Sequence, residues 1–110
     1  MFYKLEDNSK NQVDNDTLIL DYGLKDTPHD LVVMDLDGEH GVFVNKVSTK
    51  TYYVLDGVAR FSVDDTRRTL EKDDVIVVSP GQKHSMSGIM RALVICTPPY
   101  NPDDEEMFSV

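Results

Sequence analysis

The chain has 110 residues, the length of one domain, with 20 acidic against 11 basic side chains and a formal net charge of −9. Such an acidic chain, with no basic stripe, repels phosphate backbones, so neither nucleic acid nor an anionic membrane surface is an expected partner. A single cysteine, Cys96, rules out an internal disulfide; no apolar run approaches the roughly 20 residues of a membrane span, and the polar start from Met1 to Asn11 lacks the apolar core of a secretion signal, which points to the cytoplasm.

Residues 1–16 read as a leading arm with one short strand, mostly polar and ending in Asp14, Asn15 and Asp16. From Thr17 onward, short apolar segments alternate with turn signals roughly every ten residues, the rhythm of an all-β sandwich or barrel. Thr17 to Tyr22 is the first strand, broken by Gly23, and Leu31 to Leu36 is the next, followed by a turn at Asp37-Gly38. Gly41 to Val47 and the β-prone Thr51 to Leu55 come next, the second of them ending at Asp56-Gly57. Both Asp-Gly pairs are expected as hairpin turns, because those residues tolerate the positive φ a tight turn requires.

Ala59 to Val63 leads to Asp64-Asp65, Val75 to Val78 is a β-branched run stopped by Ser79-Pro80-Gly81, and Ala92 to Cys96 is the last apolar strand. No stretch holds a 3.6-residue period, so almost no helix is expected. The barrel is placed at 17–97 and a tail at 98–110. The tail is Pro-rich and acidic, then ends in Met107, Phe108 and Val110; it is either a disordered end or a segment docked on the barrel or a partner.

The stretch from Gly38 to Gly88 resembles the cupin family, whose two motifs set three histidines and a glutamate around a divalent metal inside a β-barrel. Gly38, five residues, Val44-Asn45-Lys46, three residues, Lys50, six residues and Gly57 reproduce the spacing of the first motif. Val44 and Lys46 stand where that motif has its histidines, and Lys50 where it has its glutamate. The second motif is matched from Asp73, through Ser79-Pro80-Gly81 and His84, to Gly88, with His84 in the place of the family's histidine. The resemblance implies a single-domain cupin-type jelly-roll barrel, and because cupins commonly pair, a homodimer through a strand face or edge.

The residues at those places argue against the usual metal. Valine cannot ligate, and two lysines repel a divalent cation. No metal or other cofactor is therefore expected; a rearranged site, if there is one, would draw on His84 and His40 with Glu39 or Cys96. His40 reads mainly as a loop histidine beside the Asp37-Gly38 turn, although strand parity would put it on the face of Val44. The same parity puts Lys46 on the face of Val44, which the resemblance turns toward the interior, where an ammonium must be paired with a carboxylate, matched by an anionic ligand, snorkelled to the rim, or deprotonated for Schiff-base chemistry.

Lys46, Lys50, Tyr52, His84 and Met86 are the candidate ligand-binding residues, with Val54, Phe61 and Ile89 packing the interior and Arg91 at the mouth or in solvent. His84 and Tyr52 are the candidate catalytic pair, acid/base in character, with a hydrogen-bonded remnant of the fold as the other reading of His84. Three functions remain open. One is a metal-free pocket for a small anionic or carbohydrate ligand. Another is a metal-independent isomerase or epimerase. The third is a structural or dimeric interaction module with a filled barrel. No phosphate loop, nucleophile elbow or cysteine pair is present.

Overall fold

The computed structural model describes residues 1–5 and 10–108; residues 6–9 of the expected arm and 109–110 of the tail, Val110 among them, lie outside the described residues. Among the described residues eight strands follow in chain order: β1 Lys10–Asp14, β2 Thr17–Asp21, β3 Asp30–Asn45, β4 Thr49–Val63, β5 Thr66–Glu71, β6 Val75–Val78, β7 His84–Thr97 and β8 Glu105–Phe108. A short 3-10 turn at Pro102–Asp104 precedes β8. No helix among the described residues is long and apolar enough to cross a membrane.

All strand pairs are antiparallel, in the order β1-β2-β3-β7-β4-β5, with β6 added to β4 and β8 to β3. This is an all-β jelly roll whose sheet rolls over without closing, since β1 and β5 end the path unpaired with each other. Those ends carry polar and charged side chains, Lys10 and Gln12 on β1 and Arg67, Arg68 and Glu71 on β5, which blunt them against edge pairing.

Three strands are much longer than the rest: β3 with 16 residues, β4 with 15 and β7 with 14. The two expected Asp-Gly hairpins therefore do not exist, and Gly38 and Gly57 lie within β3 and β4. An Asp-Gly turn forms a hairpin only if its flanks pair with each other, and here both flanks pair with β7 instead. The glycines serve the bend. Gly57 and Gly88 have φ of 84° and 141°, and a Cβ on either would collide with a carbonyl of the adjoining strand, that of Ile89 or of Val58. The turn at Asp64-Asp65 does form, joining β4 to β5 with Asp64 at φ 50°.

Bulges decide which side chains face inward. On β7 a strict period of two buries His84, Met86, Met90, Ala92, Val94 and Cys96 and leaves Ile89 68% exposed. On β4 the inward residues are Lys50, Tyr52 and Val54, then Ala59 and Phe61, because a register shift between Val54 and Asp56 inverts the parity. A second shift between His40 and Phe43 does the same on β3. The core formed by these faces contains Met34, Leu36, Phe43, Tyr52, Val54, Phe61, Met86 and Met90.

The tail docks. Val42 to Asn45 of β3 pair with Phe108 to Glu105 of β8, Ser48 Oγ donates to the Pro98 carbonyl at 2.7 Å, and the Tyr100 amide donates to Asp30 at 2.6 Å.

Candidate functional site

One end of the jelly roll holds a cavity of about 690 Å³, walled by the inner faces of β3, β4 and β7, by the β1-β2 hairpin and by the docked tail. Its size and its mainly apolar wall with a few polar groups suit a small molecule. The polar groups come from widely separated parts of the chain: Lys10 and Asn11 from β1, Asp21 from β2, Asp30 and His40 from β3, Lys50 and Tyr52 from β4, Cys96 from β7 and Glu105 from β8. A second groove of about 730 Å³, lined by Asp16, Asp35, Asp37, Asp56 and Arg91, has neither an imidazole nor a phenol.

His40 is held by the N-terminal hairpin. Its Nδ1 lies 2.8 Å from Asp14 Oδ2 and 3.1 Å from Thr17 Oγ1. Partial burial by itself would raise the Asp14 carboxyl; hydrogen bonds from His40, the Asp16 amide and Thr17 outweigh it and hold the group below the usual carboxylate range. Both ring contacts use Nδ1, so Nε2 has no partner among the described residues. A carboxylate on Nδ1 fixes the tautomer and orientation of an imidazole whose other nitrogen is a base.

Lys50 is 7% exposed, and its Nζ donates to Glu105 Oε2 at 2.7 Å. Asn45 Nδ2 donates to the same oxygen at 3.1 Å. The ammonium also stands 4.7 Å above the Phe43 ring centroid, a cation–π contact that offsets part of its desolvation. Two residues on, the Tyr52 hydroxyl lies 3.0 Å from His84 Nε2. Burial first, then the charges of Glu105 and Cys96, raise the phenol far above its ordinary value, so it stays protonated. Burial, then the Lys50 cation, push His84 down to about 3, only partly opposed by the Gln82 carbonyl. His84 is thus a neutral imidazole at physiological pH.

Several expectations are corrected. Lys46 is not in the interior: its side chain is 60% exposed, with Nζ 3.9 Å from Glu106. The bulge between His40 and Phe43 is the cause, since it turns Phe43 and Asn45 inward where unbroken parity would have turned Val44 and Lys46. Of the four fates considered for Lys46, the paired rim lysine is the one observed. His40 is not in a loop; it sits within β3, edge-on to Phe43 at 4.6 Å between centroids. Met86 is a core residue and His84 lies behind Tyr52; neither lines the cavity. Arg91 lies in the other groove, 3.4 Å from Asp35.

Glu105, Asp14, Thr17 and Phe43 belong to the site and were not singled out by sequence. Glu105 is one acid in an acidic tail and Asp14 one in an acidic arm, and only strand pairing across the molecule distinguishes them.

Comparison with known proteins identifies the fold. The structure superposes on Pac13, a nucleoside dehydratase from Streptomyces, with a TM-score of 0.91 and 24% identity, covering 98% of this chain and 90% of that one. His-to-Gln and Tyr-to-Phe variants of Pac13 are known with uridine. KdgF from Halomonas sp. follows at 0.82 and 15% identity, covering 94% of this chain and 97% of that one. Oxalate decarboxylase from Bacillus subtilis gives 0.83 and 14% identity, over 97% of this chain and 31% of that one. No curated protein matches by sequence. At these identities the likenesses show the fold alone. The cupin domain family matches residues 30–96, more than half of the sequence, and the chain belongs to that family.

Proposed function

We propose that the cavity binds a small, neutral, hydroxylated molecule of nucleoside or sugar size and that His40 acts on it as a general base, without a resident divalent metal. The observation that carries this reading is His40 on the cavity wall, its Nδ1 2.8 Å from Asp14 and its Nε2 without a partner among the described residues. The size of the cavity and the likeness to a nucleoside dehydratase support the ligand class.

Charge narrows it. Asp21, Asp30 and Glu105 line the cavity against Lys10 and Lys50, three carboxylates to two ammonium groups, so an anionic ligand gains nothing on balance. The donor set does not fit the family's metal. The place of the ligating glutamate is taken by Lys50, already paired with Glu105, and His84 Nε2 is committed to Tyr52. A buried ammonium in that place repels a divalent cation.

The chemistry follows from placement. Nε2 of His40 removes a proton from carbon or oxygen, and Asp14 stabilises the imidazolium that forms. In an isomerisation the proton returns at a neighbouring atom. In an elimination the departing hydroxyl takes it up and leaves as water. Lys50 hydrogen-bonds the oxygen on which charge develops.

The test titrates uridine, uridine 5′-monophosphate and neutral sugars by calorimetry, then follows exchange of ligand carbon-bound protons in D₂O by NMR. Neutral binders should saturate at one site, the phosphate should weaken binding, and His40→Gln should abolish exchange while binding persists. Tighter binding of the phosphate, or exchange unchanged in His40→Gln, refutes the reading.

A further inference from the structure

Tyr52 and Lys50 stand two places apart on the inner face of β4, about 7 Å between Cα atoms, and both line the cavity. What each can offer a ligand differs, and a residue outside the cavity decides the difference. His84, 1% exposed, lies behind Tyr52 with its Nε2 3.0 Å from the phenolic oxygen. Its Nδ1 is buried without a hydrogen-bond partner, and the Gln82 carbonyl is the backbone group that favours a proton on the ring.

A neutral imidazole carries one N–H, and the two possible tautomers are not equivalent here. With the proton on Nε2, the ring donates to Tyr52 and leaves a bare Nδ1 lone pair buried in the field of the Gln82 carbonyl. With the proton on Nδ1, that N–H points along the carbonyl dipole and Nε2 accepts from the Tyr52 hydroxyl. The second arrangement avoids a buried lone pair facing another. No carboxylate reaches the ring, and Lys50 stands nearby, so the charged form has no support.

Resting on the reading of the cavity as a ligand site, we propose that His84 is a positioning residue. It claims the Tyr52 proton, and the phenolic oxygen faces the cavity as an acceptor only. Lys50 is the opposite. Of its three N–H bonds one goes to Glu105; the other two have no oxygen or nitrogen acceptor among the described residues, and the Phe43 and Tyr100 ring centroids lie 4.7 and 5.5 Å from Nζ. The floor of the cavity therefore presents a donor beside an acceptor, and it selects a ligand edge with a carbonyl or hydroxyl oxygen next to an N–H or O–H. Imides, lactams and hydroxycarbonyl compounds have that edge, and Tyr52 does not serve as the acid of an acid/base pair.

The tautomer is read first, in ligand-free protein labelled with ¹⁵N at the histidine rings. Long-range proton–nitrogen correlation should show His84 with Nδ1 protonated, Nε2 bare, and a slowly exchanging tyrosine hydroxyl coupled to Nε2. A protonated Nε2 overturns the proposal, and no ligand is needed for that result. Calorimetry with uridine and N3-methyluridine then tests selection, since methylation removes the donor and leaves the oxygens. Binding should weaken at least about tenfold on methylation, and the difference should vanish in Tyr52→Phe. It should persist in His84→Asn, whose amide oxygen still accepts the hydroxyl proton. An unchanged affinity on methylation overturns the selection. Failure of every nucleoside and sugar to bind removes the proposed ligand class, and the tautomer still decides the role of His84.

Discussion

Lys50 and Glu105 make a buried pair, with side chains 9% and 14% exposed, and breaking it from either side should be costly. In Glu105→Leu the ammonium loses its carboxylate under the barrel wall, and Asn45 Nδ2 loses its acceptor as well. Removing one partner of a buried pair costs about 3–5 kcal/mol. Near the middle of that range, and at about 4 °C per kcal/mol for a domain of this size, Tm should fall by about 16 °C. Lys50→Met should cost about 3 kcal/mol, because the orphaned carboxylate at the cavity wall can still reach Asn45. The double variant replaces an ion pair by two apolar side chains, so it should lose far less than the sum, giving a coupling energy of about 3 kcal/mol or more. Urea unfolding of the four proteins closes the cycle. The coupling should survive 1 M salt, since a pair removed from solvent is screened little. Additivity within about 0.5 kcal/mol would refute a buried pair and with it the tail's contribution to the site.

The pH dependence of stability should carry the mark of His84. Its imidazole titrates near 6.5 when unfolded and is pushed down to about 3 in the fold, so the unfolded chain binds the proton first as pH falls. Its contribution is therefore complete above pH 6.5 and is lost as the pH drops from there toward 3; urea unfolding at intermediate pH should show a slope that His84→Asn reduces, and equal slopes would refute it. Gly57→Ala should destabilise by more than about 1 kcal/mol, because alanine resists φ near 84° and its Cβ meets the Ile89 carbonyl. Unchanged thermal unfolding of that variant would remove the bend argument. The exposed apolar row of Tyr53, Val58, Val75, Val77 and Ile89 on the outer face should be covered by a second copy of the chain. Light scattering should then give the dimer mass, and a monomer at every concentration would exclude it.

The sequence by itself determined the all-β class, the absence of long helices and most strand positions, because period-two patterning and turn residues act over a few neighbours. It also marked Lys50 and His84, through the motif frame that the chain shares with other cupins, and Tyr52 as a barrel-lining residue of the β-prone run beside Lys50. What only the tertiary structure decided was which side chains meet. Whether Asp56-Gly57 turns or runs on depends on β7 offering each flank a partner. Whether Lys46 or Asn45 looks inward depends on one bulged residue, which inverts every later side chain on the strand while leaving its composition unchanged. Asp14 and Glu105 entered the site through pairings across the molecule, 26 residues from His40 and 55 from Lys50. A carboxylate in an acidic arm or tail looks like its neighbours until a distant strand gives it a buried cation or imidazole to hold.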